Sequence, residues 1–291
     1  MKSNAAIFSV GYPGAEPYIS DFLQSLSKQT DKNFILYLLN DGLHDIGRFL
    51  EGINFPVKVL EKQGHPAALR KAGIQWAISG GAKVIFFADV DDYFADNRIE
   101  ISKKMMVDYD VICNEILLAG QKYPQPVPMF GELFKDEMEI TTEDIMNGNC
   151  LGLSNTSIRV DKISALMTEI PDDVIAFDWA FFTLCFHAGA KAVFTKKTST
   201  YYRQHDSNIA SVKSFTENQI MRGVRVKRDH YNLISNFNDE YIELANVFER
   251  LYSQLESDVL LRDKYCKVVR MNAIDTSMWW EPIKSLKELG L

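Results

Sequence analysis

The chain has 291 residues, 46% of them hydrophobic and 24% charged, with a formal net charge of −7 and a pI near 5.3. Those proportions are ordinary for a globular protein of one or two domains. The acidic balance argues against a nucleic-acid partner, which is held by basic groups neutralising phosphates. It leaves room for a nucleotide whose diphosphate is offset by a divalent cation.

Apolar and amphipathic stretches alternate from the start. Ala5 to Val10 reads as a strand, too short for a signal-peptide core. Ile19, Phe22, Leu23 and Leu26 then recur at helical spacing. Phe34 to Leu39 is a continuous apolar run ending at the turn Asn40-Asp41-Gly42, followed by a short helix with Ile46, Phe49 and Leu50 and a strand at Val57 to Leu60. Leu69, Ala72 and Trp76 mark the next helix, and Lys83 to Ala88 the next strand. Strands without alternation are buried on both faces, so the order predicts an α/β fold with a doubly wound sheet whose ligands bind beyond the carboxyl ends of the strands. Asp41 and Asp89 fall at such ends and are expected on one rim.

Further along, Tyr123 to Met129 contains Pro124, Pro126 and Pro128 and reads as a loop. Thr141 and Asp144 form a candidate capping box, Leu151 to Val160 looks extended, and Ala176 to Ala188 reads as a buried helix closed by Gly189. Ala192 to Thr195 and Ser199 to Arg203 read as a strand pair. From about Ser214 the texture becomes helical, with a stripe of Tyr241, Leu244, Ala245, Phe248, Leu251, Tyr252 and Leu255, then Leu261, Tyr265 and Val268. This divides the chain into a domain over 1–212 and a helical extension over 213–291. The extension is a candidate surface for homo-oligomers. Trp279-Trp280 reads as core or as an anchor at a membrane interface, with the core reading favoured. Cys113, Cys150, Cys185 and Cys266 are scattered among apolar neighbours without zinc spacing, which predicts reduced, buried thiols and a cytoplasmic setting, with peripheral docking on a membrane open.

The chemistry concentrates in Asp89-Val90-Asp91-Asp92, directly after the apolar run Val84 to Ala88. Three carboxylates within four residues repel one another, and Mg2+ or Mn2+ would supply the missing charge while bridging to substrate phosphates. The competing reading is a solvated acidic turn before a helix. Alone, Asn40-Asp41-Gly42 is only a good turn. In Gly64 to Ile74, small residues permit close packing, and Arg70 is either a surface arginine or an anion contact.

Taken in order and spacing, these segments resemble the family 2 glycosyltransferases, inverting enzymes of the GT-A fold with a mixed sheet. The resemblance runs from about residue 5 to 211. It rests on Tyr12-Pro13, on Asn40-Asp41-Gly42, on Gly64 to Ile74 and on Asp89 to Asp92. Downstream it rests on Phe177-Asp178-Trp179 and on Tyr202-Arg203-Gln204-His205. It implies a donor site of Tyr12, Asp41, Arg70, Asp89 and Arg203, metal ligands Asp91, Asp92 and His205, and Asp178 as catalytic base. It further implies Mn2+ or Mg2+ as cofactor, a nucleotide-sugar donor of UDP type, and a saccharide or glycolipid acceptor in polysaccharide or glycolipid assembly. Several positions depart from the family pattern: Pro13, Asn40 and Leu43 around the first two strand ends, Lys71 where Asn is usual after Arg70, and Phe177 where Glu is usual before Asp178. Two other functions fit parts of the sequence. One is a non-catalytic binder of nucleotide sugars or glycans. The other is a phosphohydrolase with Asp89 as nucleophile and Asp91 as acid/base, although Tyr93 stands where such enzymes carry Thr or Val.

Overall fold

A computed structural model describes residues 4–121, 123–163, 166–204, 215–273 and 280–291. The alternating first part forms β1 (Ala5–Gly11), α1 (Ile19–Ser27), β2 (Ile35–Asn40), α2 (Ile46–Leu50), β3 (Val57–Glu61), α3 (Pro66–Ser79) and β4 (Val84–Phe87). There follow β5 (Tyr93–Phe94), α4 (Arg98–Met105), β6 (Val111–Gly120), β7 (Tyr123–Pro128), β8 (Glu139–Ile140), α5 (Thr142–Met146), β9 (Thr156–Arg159), α6 (Phe177–His187) and β10 (Ala192–Arg203). The last three helices are α7 (Glu217–Ile234), α8 (Asp239–Ser257) and α9 (Val259–Asn272).

The sheet runs in the order β3-β2-β1-β4-β9-β6-β10-β5, with β7 paired to β6 and β8 to β10. Strands β1 to β4 are mutually parallel, whereas β9 lies antiparallel between β4 and β6. Because β9 reverses the direction twice, β6 and β10 again point the same way as β4. The carboxyl ends of β1, β2, β4, β6 and β10 therefore share one rim. Apolar clusters cover both faces, as expected for strands lacking alternation.

Close packing of α3 on β1 depends on Gly73, where an added Cβ would lie 1.9 Å from the Phe8 ring. That contact fixes how near the arginine one turn earlier comes to the rim. The predicted capping box holds at α5, with the Thr141 N–H donating to Asp144 Oδ2 at 2.8 Å. Gly189 closes α6 with φ +81°. All four cysteines are free and buried.

Two readings are corrected. Residues 123–128 form an edge strand, not a loop. The Met129 N–H donates to Ile116 O at 2.8 Å, so by the two-residue period Pro124, Pro126 and Pro128 face away from β6, where no N–H is needed. The expected strand pair 192–195 and 199–203 is a single strand, irregular between Thr195 and Ser199.

Helices α7 to α9 bury Tyr231, Tyr241, Phe248, Leu255 and Tyr265 in a cluster of their own, which takes in Trp179 of α6 and Met146 of α5. On α9 the buried residues are Tyr265, Cys266 and Val269, one position beyond the expected Val268. Trp280 packs over Gly148, where a Cβ would lie 1.8 Å from its indole, in keeping with the core reading; Trp279 lies outside the described residues. No helix among the described residues is long and apolar enough to cross a membrane.

Candidate functional site

Residues 89–92 leave β4 at the rim and turn back sharply, with the Asp92 N–H donating to Asp89 O at 3.1 Å. The three carboxylates therefore point different ways. Asp92 is 0% exposed. One of its oxygens accepts from the Ser154 hydroxyl and the other from the Arg203 N–H at 2.9 Å. With both oxygens so held, Asp92 ties the end of β4 to the end of β10 and to the turn before β9, and it sits behind the rim instead of on it. Asp91 is partly exposed and accepts from Tyr12 Oη at 2.9 Å, which makes it the outward carboxylate. Asp89 is partly exposed, and its N–H reaches Ser154 Oγ at 3.4 Å.

Charge is crowded here. Burial, then Asp91, pushes the Asp89 carboxyl up to about 6, with Asp178 adding to the rise and Arg70 and Arg98 opposing it. Asp92 is raised well above the usual range by burial and by Asp91 and Asp89. Burial beside Asp91 also raises the Tyr12 phenol, keeping it a hydrogen-bond donor. A buried cation lies behind the cluster. Arg98 is 3% exposed and donates to Asn114 Oδ1 at 3.1 Å and Phe87 O at 2.8 Å. Burial pushes it down to about 9, with Asp92 and Asp89 opposing.

Arg203 ends β10 on the same rim. Its Nε donates to Asp91 O at 3.0 Å and its Nη2 to Asp21 Oδ2 at 2.7 Å, and its guanidinium lies 5.2 Å from the Tyr18 and Tyr93 ring centroids. Asp178 stands in the first turn of α6, where the backbone N–H groups of Asp178 and Trp179 and the Asn149 amide support its carboxylate. Burial nevertheless raises its carboxyl, with Arg70 opposing. Arg70, on α3, is thus the cation between Asp89 and Asp178. Its guanidinium makes no hydrogen bond among the described residues.

The rim brings together Tyr12, Arg70, Asp89, Asp91, Asp178 and Arg203. Asp41 stands at the end of the neighbouring β2, its N–H donating to Gly11 O at 2.7 Å, and no hydrogen bond among the described residues links its carboxylate to the cluster. The adjacent Asn40 locks the turn instead, its Oδ1 accepting from the Leu43 N–H at 2.8 Å and its Nδ2 donating to Leu43 O at 3.0 Å. His205 lies outside the described residues. Sequence reading missed Ser154, Asn149 and Arg98, which no local pattern distinguishes from an ordinary turn serine, loop asparagine and helix arginine.

The donor set suits a hard divalent cation: oxygens only, with more negative charge than Arg70 and Arg98 offset. Among the described residues no three His, Cys, Asp or Glu side chains form a ready-made ligand group. An ion here would be completed by phosphate and water oxygens, the usual pattern for Mg2+.

No protein-family model matches the chain. Over 251 residues it is 27% identical to an uncharacterized glycosyltransferase of Rickettsia conorii, a match covering 75% of this chain. The match takes in 39% of that relative's length, so the chain spans well under half of it. In structure it is similar to S. aureus TarS 1–349 in complex with UDP-GlcNAc, with TM-score 0.62 and 18% identity, covering 93% of this chain and 79% of that one. It is also similar to the mannosyltransferase PcManGT from Pyrobaculum calidifontis in complex with GDP-Man and Mn2+, with TM-score 0.57 and 11% identity, covering 95% and 77%. The fold is that of these GT-A glycosyltransferases.

Proposed function

We propose that the chain is a glycosyltransferase that moves a sugar from a nucleoside diphosphate to a hydroxyl acceptor with inversion. The observation that carries this reading is the placement of two carboxylate groups on one rim with Arg70 between them: Asp89 and Asp91 beyond β4, and Asp178 at the start of α6. An inverting displacement needs those two ends. Asp178 takes the proton of the acceptor hydroxyl as its oxygen attacks the anomeric carbon. The bond from that carbon to the diphosphate breaks, and its electron pair leaves with the nucleoside diphosphate.

Tyr12, Asp89, Arg70 and Arg203 bind and orient the donor, and Asp91 is the residue that would hold the cation. When bound, Mg2+ or Mn2+ supplies positive charge to the departing diphosphate. Asp92 holds the frame from behind. The Rickettsia relative is named a glycosyltransferase, and the two structural neighbours bind UDP-GlcNAc and GDP-Man, which favours this reading over a phosphohydrolase with Asp89 as nucleophile. The acidic rim favours a UDP- or GDP-sugar carried with its metal, and a saccharide or glycolipid supplies the acceptor hydroxyl. Residues 213–291 serve as a helical extension.

A calorimetric panel of UDP and GDP with and without Mn2+ tests the site. Binding should require the metal and fall at least about tenfold in Asp91→Ala, the loss of one charge-assisted contact. Metal-independent binding that survives the substitution would remove the cation bridge from the reading.

A further inference from the structure

Lys71 stands where the resembled family carries Asn, next to Arg70 on α3. Successive helix residues leave the axis about 100° apart, so one helix presents Arg70 toward the rim and Lys71 toward the chain that leads into α6. Lys71 Nζ donates to Ile170 O at 2.7 Å and to Asp172 Oδ1 at 2.7 Å. The Lys71 side chain is 16% exposed and that of Asp172 is 73% exposed. Ile170 is itself buried in the same apolar cluster as Leu69 and Ile74 of α3.

Between Asp172 and Phe177 the chain forms neither helix nor strand, so no ladder holds it. On its far side α6 is fixed to α5, where Trp179 Nε1 donates to Ile145 O at 2.7 Å. On the α3 side, Lys71 supplies the hydrogen bonds that fasten the incoming segment.

We propose that Lys71 is a positioning residue for Asp178: by tying residues 170–172 to α3 it sets the first turn of α6 against Arg70. This rests on the reading of Asp178 as the base. The two bonds do not count equally. The ion pair to the exposed Asp172 is screened by water and contributes little. The bond to Ile170 O is directional and holds a segment whose next residues carry the base. A shift of about 1 Å at such a group can slow a reaction by up to about a hundredfold.

The test uses the full chain with Lys71→Met, Lys71→Arg and Asp172→Ala. Three readouts are compared: donor-sugar hydrolysis, calorimetry of UDP with Mn2+, and amide hydrogen exchange. Lys71→Met should lower kcat about tenfold while leaving the donor KM and UDP affinity within about twofold. Exchange should quicken in residues 170–178 and not across the sheet. Lys71→Arg should recover most of the rate, and Asp172→Ala should stay within about twofold of the parent.

A raised KM with unchanged exchange would make Lys71 a donor contact and overturn the proposal. Faster exchange throughout α3 and the sheet would make it a general stability residue and overturn it equally. A parent chain that hydrolyses no donor would count against the glycosyltransferase reading alone. In that case exchange decides the tether: quickening confined to 170–178 supports it, and an unchanged pattern refutes it.

Discussion

The rim of the sheet and the helical layer behind it both bury groups that titrate, in opposite settings. Behind the rim, fully buried Asp92 has both oxygens taken by Ser154 and Arg203, while on the rim Asp89 and Asp178 are partly exposed with Arg70 acting on both, and partly exposed Asp91 accepts from Tyr12. In the helical layer, His230 is 2% exposed and stacks on Trp179 at 3.8 Å, yet neither ring nitrogen has a hydrogen-bond partner among the described residues. Lys227 beside it donates to Ile283 O at 2.8 Å and is pushed down to about 7 by burial. Both regions shift their groups far from ordinary values. Convergence of unlike charges in a place a ligand can reach is what separates a candidate site from groups that are merely enclosed.

The sharpest way to break that contrast is Asp178→Asn. If Asp178 is the base, transfer should fall by about 10²–10⁴-fold, with metal-dependent UDP binding nearly unchanged. Because burial raises its carboxyl, the acid limb of the rate profile should lie above the usual value of about 3.9. That limb should vanish in the variant. An intact rate would leave the rim a binding site without a base.

Asp92→Ala probes the frame. It leaves the Ser154 hydroxyl and the Arg203 N–H without their acceptor, a loss of roughly 2–4 kcal/mol that should appear as a lower denaturation midpoint. Unchanged stability would mean the clamp is replaceable by water.

The first four strands and the helices between them were legible because each element declares itself locally, as an unbroken apolar run or a helical stripe. Asp89 is marked out by its position at a strand end, whereas Asp178 is singled out only by the family resemblance, since by local pattern it is an ordinary carboxylate in the first turn of a helix. The frame was not legible. Ser154 acts on Asp92 from 62 residues away, and only because β9 is inserted antiparallel between β4 and β6. Arg98 depends on the same long-range pairing, since its partners Phe87 O and Asn114 sit on β4 and β6. The β7 edge was misread for a different reason. Proline content excludes a central strand but is silent on which side of an edge strand lacks an N–H partner.

Asp89→Asn asks whether the rim is built under repulsion. In the folded chain its carboxyl is pushed up to about 6, against about 3.9 for an unfolded Asp. Between those values the folded state holds a proton that the unfolded state has released. The stability contributed by this group is therefore present below pH ~4 and lost as pH rises through ~6. In metal-free protein at pH 7 the variant should be more stable by roughly 1–3 kcal/mol, and its melting temperature should vary less across that window. Nucleotide binding should be lost at the same time. A variant no more stable than its parent would show that Arg98 and Arg70 already balance the cluster.

His230→Phe is the smallest change and the most direct test of the helical layer. Burial, then the neighbouring Lys227, pushes His230 down to about 3, while an unfolded His titrates near ~6.5. Between these values the unfolded state binds the proton and the folded state does not, so this group's contribution is complete above ~6.5 and lost as pH falls through ~3. Phenylalanine keeps the stack on Trp179 and removes two nitrogens that have no partner among the described residues, for a gain of about 1 kcal/mol at pH 7. The gain should widen at pH 5, by urea denaturation at the two values. UDP affinity in the presence of Mn2+ should not move. Trp179 follows Asp178 in the chain, however, and its indole is the one that His230 covers. A change in nucleotide affinity in His230→Phe would mean that the aromatic layer sets the rim through α6, and the two regions would have to be treated as one device.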